Sequence, residues 1–133
     1  MDNKLYFETQ FGERKKMVIE INMYVNNGCM YIGLQEQVED YFEPYGDLTV
    51  NLEGKVPDYC GYVDVNNMPQ IEKFIVDNDI GEFTGLSKKS GFCEYPLYLF
   101  NVDKLRELCP EGMKMYESAI NKEKELSVQE KVR

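Results

Sequence analysis

Residues 17 to 25, MVIEINMYV, place Met17, Ile19, Ile21, Met23 and Val25 on one side and Val18, Glu20, Asn22 and Tyr24 on the other. A period of two is the pattern of a half-buried strand. Asn26-Asn27-Gly28 tolerates positive φ and suits a hairpin turn, and CMYIGLQ returns as a second strand with Met30, Ile32 and Leu34 on one side. LYFETQF, residues 5 to 11, adds an edge strand ahead of a turn at GERKK. EQVEDYFEPY, residues 36 to 45, is acidic and aromatic and is expected as a short connection. Leu48, Val50 and Leu52 then alternate as a third strand, stopped by Glu53-Gly54. YCGYVDV, residues 59 to 65, is the next strand.

The period then changes. Asn67 is expected as an N-cap, with Pro69 in the first turn and Gln70 three residues on as in a capping box. Ile71, Phe74 and Ile75 form the apolar face of this helix, and Gly81 is read as its C′ glycine. EFTGLSKKSGFCEYP is expected as a surface loop with a tight return at Ser90-Gly91. PLYLFNV follows as a strand, and its proline, which cannot donate to a ladder, suggests an edge or a strand-entry position. Asn101 or Asp103 caps a short helix that ends before Pro110. A last helix over 111–126 carries Met113, Tyr116, Ala119 and Ile120 on one face. Strands followed by carboxy-terminal helices predict an α+β fold, an antiparallel sheet with helices packed on one face. Residues 1–126 are expected as one domain, with 127–133 as a charged, flexible tail.

Composition narrows the function. The 133 residues are 43% hydrophobic and 13% aromatic, too apolar for a disordered chain and too interrupted for a membrane span. The amino terminus lacks the apolar run of a secretory signal, so a cytoplasmic protein is expected. Cys29, Cys60, Cys93 and Cys109 show no C-x-x-C spacing, and free, mostly buried thiols are expected rather than a zinc site or a disulfide framework. The chain contains no histidine. That removes imidazole-based triads and the commonest acid–base chemistry near neutral pH, and no enzymatic activity or cofactor is expected.

Charge singles out one segment. The net charge of −9 opposes direct binding to nucleic-acid phosphates. Between Met17 and Gly54 stand seven acids, Glu20, Glu36, Glu39, Asp40, Glu43, Asp47 and Glu53, with no Lys or Arg. Such a block is often only a solubilising surface. Here it also contains Tyr41, Phe42 and Tyr45, and aromatic rings are suited to interfaces. Glu36, Glu39, Asp40, Tyr41, Glu43, Tyr45 and Asp47 are therefore the candidate partner-binding residues. Alternating carboxylates and aromatics are what a nucleic-acid mimic needs.

Two other stretches carry weaker signals. Asp64, Asn66 and Asn67 could offer oxygen ligands to a cation, but the spacing is not that of a calcium loop, and capping accounts for it more simply. GLSKKSGF pairs glycines with lysines, yet Gly91 is followed by Phe92 where a Walker loop has Lys.

Residues 61–108 resemble a family of small proteins known as a domain of unknown function, encoded on phages, plasmids and conjugative elements of gut bacteria. The resemblance rests on Tyr62-Val63-Asp64 running into Asn66-Asn67 and Pro69, and on the Ser90-Gly91-Phe92-Cys93 and Tyr95-Pro96-Leu97-Tyr98 blocks. Relatives are expected to carry Cys where this chain has Met68, which weakens any shared thiol or metal role there. The resemblance supplies no catalytic residues. It implies a mobile-element setting, in which small acidic proteins similar in size and charge inhibit CRISPR effectors and restriction enzymes. The expected partner is thus a protein with a basic groove, such as a CRISPR effector or restriction nuclease. The alternatives are a small metal- or ligand-binding domain using Asp64 and Asn66, and an accessory protein that binds another mobile-element product.

Overall fold

The computed structural model describes the backbone of residues 5–132 and the side chains of residues 5–122 and of Lys124. β1 (Leu5–Glu8) buries Leu5 and Phe7 and runs antiparallel to β2 (Arg14–Met23). Arg14, Lys15 and Lys16 belong to β2, so the turn expected at GERKK closes earlier, over residues 9–13. Met17, Ile19 and Ile21 face the core as their alternation requires. Val25 does not, because β2 ends at Met23 and the turn carries Val25 into solvent. β3 (Met30–Val38) pairs with β2 and then with β4 (Tyr41–Asp47).

That last pairing corrects the expected connection over residues 36–45, which is a β-hairpin turning at Glu39-Asp40, with Glu39 at φ 56°. Its alternation is hard to read because both faces are polar or half-exposed beyond the sheet. β1 to β4 form one four-stranded sheet in chain order. A second sheet has the order β5-β6-β8-β7, from β5 (Thr49–Val50), β6 (Cys60–Val63), β7 (Gly81–Ser90) and β8 (Cys93–Phe100). The strands thus divide between two sheets, where one was expected. Leu48 stitches them together: its N–H donates to the Ile32 carbonyl at 2.9 Å, and its carbonyl accepts from Asp64 N–H at 3.0 Å.

The stretch expected as a surface loop, residues 82–96, is the β7–β8 hairpin, with its turn at Gly91-Phe92. Nearly all of β7 is exposed on both faces, so burial leaves no period-two signal, and backbone pairing with β8 forms the strand instead. β8 is an interior strand between β6 and β7, not an edge; Pro96 is tolerated there because β6 pairs only with Leu97–Leu99 and Pro96 lies beyond that ladder beside the irregularity in β7.

α1 (Ile71–Asp77) buries Ile71, Phe74 and Ile75 as its pattern predicts. A seven-residue helix is marginal alone. Burying each of these side chains contributes about 1.5–3 kcal/mol. Its ends differ from expectation: it starts after Gln70, which makes no side-chain cap, and it closes at Asn78 and Asp79, with Asp79 at φ 55°. Gly81 is the first residue of β7. α2 (Val102–Leu108) is capped by Asn101, whose side chain accepts from Lys104 N–H. α3 (Pro110–Val132) carries Met113, Tyr116 and Ile120 into the core. Its backbone continues as helix through residues 127–132 of the expected tail; the side chains there, and Arg133, lie outside the described residues.

One apolar cluster takes side chains from both sheets and all three helices. In the first sheet Leu5, Phe7, Met17, Ile19, Ile21, Met30, Ile32 and Leu34 face that cluster, while Tyr6, Glu20 and Asn22 on the opposite side are exposed. The α+β architecture with helices on one face of the first sheet follows from that division.

Candidate functional site

The seven candidate partner-binding residues fall on one hairpin but not on one face. β2 pairs with β3 only as far as Glu36, so Gln37 to Phe42 stand beyond it as a two-stranded ribbon. Glu39 and Asp40 form its tip, and both are exposed. Tyr41 and Phe42 are 51% and 52% exposed, and Glu43 beside them is also exposed. Glu36 lies directly across from Glu43, on the side that continues the core face, because Glu36 is also the partner of fully buried Met17. Asp47 pairs with Gly33 on the opposite face, where it accepts the Tyr31 hydroxyl at 2.6 Å. The ladder passes from Gln35↔Pro44 to Leu34↔Gly46, leaving Tyr45 as the extra residue of a bulge. Bulges re-aim side chains. Here Tyr45 turns toward Phe7, with ring centroids 5.6 Å apart.

Neighbouring strands therefore change the electrostatics of the base-free run. Lys15 reaches Glu36 at 3.5 Å and Glu13 at 3.6 Å, and these carboxylates raise its pKa, Glu36 being the larger influence. Lys88 donates to the Glu53 carbonyl. Among the described residues, Glu39, Asp40 and Glu43 carry no ion pair.

Most of the tyrosines outside the ribbon are used internally. Tyr98 donates to Glu72 at 2.8 Å and ties the second sheet to α1. Tyr59, in the left-handed region at φ 65°, donates to Glu117 at 2.7 Å, and its N–H is accepted by the Tyr116 hydroxyl. Burial first, and the bond to Glu117 second, push the Tyr59 hydroxyl up to about 12. Arg106 makes a two-pronged contact with Glu117 at 2.9 and 2.7 Å, which lowers the pKa of that carboxyl. Burial and the bond to Asp47 likewise raise the Tyr31 hydroxyl.

At the strand-to-helix corner, Asp64 is only 8% exposed. Its two carboxylate oxygens accept from Asn67, one from the backbone N–H at 3.3 Å and one from Nδ2 at 2.7 Å, while its carbonyl accepts from Met68 N–H. Asn67, expected as the N-cap of α1, is thus the donor to Asp64, three residues too early to cap a helix that starts at Ile71. Asn66 is exposed. Among the described residues, no group of three or more His, Cys, Asp or Glu side chains is gathered as a metal site would require. The four cysteines are free. Only Cys60 is buried, and burial raises its thiol pKa; Cys29, Cys93 and Cys109 are half-buried, which corrects the expectation of mostly buried thiols.

Beside the ribbon's base lies a cleft of about 310 Å³, between the β1–β2 turn and the Asp64–Gln70 corner. Phe7, Phe11, Tyr45, Met68 and Pro69 form its apolar walls, and Lys15 lies at its rim. The tertiary structure brings Tyr45 here and joins it to the corner that carries the resemblance. Sequence reasoning missed Phe11 and Lys15. The expected edge strand ends on Phe11, on the side of Leu5 and Phe7, but β1 stops at Glu8 and leaves its ring in the turn.

Residues 18–120 match the model of a family described as a domain of unknown function, DUF4313, a span wider than the 61–108 stretch on which the resemblance rests. Searches of curated proteins and of solved structures find no match. Among the described residues no helix is long and apolar enough to cross a membrane.

Proposed function

We propose that this chain, which belongs to the DUF4313 family, is a non-enzymatic interaction protein that engages a protein partner through the β3–β4 ribbon. The observation that carries this reading is the ribbon itself. Its end stands beyond the β2 ladder, where unpaired Glu39 and Asp40 adjoin half-exposed Tyr41 and Phe42, and unpaired Glu43 follows at the ladder's last rung. Unpaired carboxylates steer a basic surface into encounter, and aromatic rings supply contact area once it arrives. A partner that presents basic charge in a groove is one that handles nucleic acid. The mobile-element setting implied by the resemblance makes a host defence protein, a CRISPR effector or restriction nuclease, the class to test first. Inhibition would follow from occupying the groove in place of nucleic acid. The absence of histidine fits a binding role.

The test is direct binding of the purified chain to a panel of RNA-guided and restriction nucleases, with duplex DNA as competitor. Binding that DNA displaces, and that Glu39→Lys with Asp40→Lys and Glu43→Lys weakens by roughly two orders of magnitude, is the expected result. Unchanged binding and inhibition by the triple variant would overturn the proposed surface.

A further inference from the structure

The cleft at the base of the ribbon joins two core side chains, Phe7 and Met68, to an aromatic that the fold itself does not need, Phe11. The turn from Thr9 to Glu13 is held by Thr9: its N–H donates to the Glu13 carbonyl, its carbonyl accepts from Gly12, and its hydroxyl accepts from the N–H groups of Phe11 and Glu13. Gly12 supplies the left-handed conformation at φ 83°. Nothing in this arrangement uses the Phe11 ring, which is 82% exposed and borders the cleft. Facing it are Met68 and Phe7, which are almost fully buried, and Tyr45, which the bulge redirects. The volume, about 310 Å³, is at the small end of ligand pockets and suits one large side chain rather than a cofactor.

Charge selects which side chain. Lys15 at the rim is already bracketed by Glu13 and Glu36. Glu36 in turn stands directly opposite Glu43, and like charges facing across a strand pair repel. Two carboxylates, Glu13 and Glu36, therefore share a single ammonium beside an apolar cleft, and a third, Glu43, stands across from Glu36 with no ion pair of its own among the described residues. An occupant that brings an aromatic ring together with a cationic neighbour satisfies both the walls and the rim.

We infer that the cleft is an anchor pocket for a basic–aromatic segment of a protein partner, with Phe11, Tyr45 and Met68 receiving the ring and Glu13, Glu36 and Glu43 the cation. This rests on the interaction role proposed above and adds the residue class that the partner inserts. In that arrangement the ribbon tip steers the encounter and the cleft slows dissociation, because buried aromatic anchors dominate the lifetime of a complex.

The experiment follows the Met68 ε-methyl resonance of methyl-labelled protein, assigned with Met68→Leu, during titration with acetyl-Arg-Trp-Arg-amide. Acetyl-Arg-Ala-Arg-amide and acetyl-Glu-Trp-Glu-amide are the controls. A saturable Met68 shift is expected with the basic tryptophan peptide and with neither control. Phe11→Ser weakens that binding about tenfold without unfolding the chain, since the ring is exposed. Absence of a saturable shift, an equal shift with the acidic peptide, or full binding by Phe11→Ser overturns the anchor pocket and leaves the ribbon proposal standing. Conversely, Glu39→Lys with Asp40→Lys at the distant tip leaves the peptide shift in place. If those same changes fail to affect nuclease binding, the ribbon proposal falls while the pocket stands. Loss of the peptide shift in the tip variant relocates the peptide to the tip and also overturns the pocket.

Discussion

Replacing Asp64 with Ala removes the carboxylate that closes the corner between β6 and α1. Both oxygens are engaged by Asn67 in a position only 8% exposed. Hydrogen bonds to a charged group contribute about 1.5–3 kcal/mol each. The two are unequal here: the Nδ2 contact is short at 2.7 Å, but its donor belongs to an exposed side chain that regains water, whereas the 3.3 Å backbone contact leaves an amide without its acceptor. The combined loss is therefore placed at about 2–3 kcal/mol, below the sum of two charged bonds because the Nδ2 donor is rehydrated. For a chain of this length that corresponds to a fall in Tm of roughly 10 °C. Asp64→Asn keeps one acceptor oxygen and costs about 1 kcal/mol less. Thermal and urea unfolding followed by circular dichroism measure both. The same melts in the presence of Mg²⁺ or Ca²⁺ separate a corner from a cation site. A loss under about 0.5 kcal/mol would refute the structural reasoning. A Tm that rises with divalent cation in the parent and not in Asp64→Ala would make the carboxylate a ligand.

Three further outcomes follow from the packing and the ionisable groups. Gly112→Ala puts a Cβ 2.6 Å from the Ile21 carbonyl oxygen and 2.9 Å from Cys109 Sγ, so α3 must lift from β2; a loss of about 1–3 kcal/mol in urea unfolding is expected, despite the better helix propensity of Ala. The Glu117 carboxyl is lowered chiefly by its bonds from Arg106, so its stabilisation is present above the ordinary carboxylate pKa and is lost as pH falls through the lowered folded value. The stability gap between the parent and Glu117→Gln should therefore close on acidification, and a gap independent of pH would refute the assignment. At the alkaline end, burial raises the Tyr59 and Tyr116 hydroxyls to about 12 and also raises those of Tyr31 and Tyr98. Their stabilisation is complete below the ordinary tyrosine value near 10 and is lost as pH rises through the folded values. Ultraviolet titration should show these tyrosines ionising late, together with loss of the circular dichroism signal.

What could be read along the chain was the periodic part. Met17, Ile19 and Ile21, Met30, Ile32 and Leu34, the Ile71–Phe74–Ile75 face and Met113–Tyr116–Ile120 all bury as their spacing requires, since one-sided burial leaves a period in the residue order. The α+β class follows from those elements alone. Strands without a buried face were not legible. β4 and β7 are held by backbone ladders, and ladder bonds use no side chain and leave no mark in the sequence.

The candidate surface divides in the same way. Its charge, its aromatics and its lack of nearby bases are properties of composition, visible in residues 36–47 before any fold is known. Tertiary structure decided their distribution: Glu36 meets Lys15 because β2 lies alongside β3, Asp47 turns to Tyr31 on the other face, and a bulge sends Tyr45 into the cleft. Glu39, Asp40, Tyr41, Phe42 and Glu43 remain at the ribbon's exposed end. Linear order fixes which side chains are near in sequence, whereas strand pairing and register determine which face each one meets, and that assignment separates an acidic segment from an acidic surface.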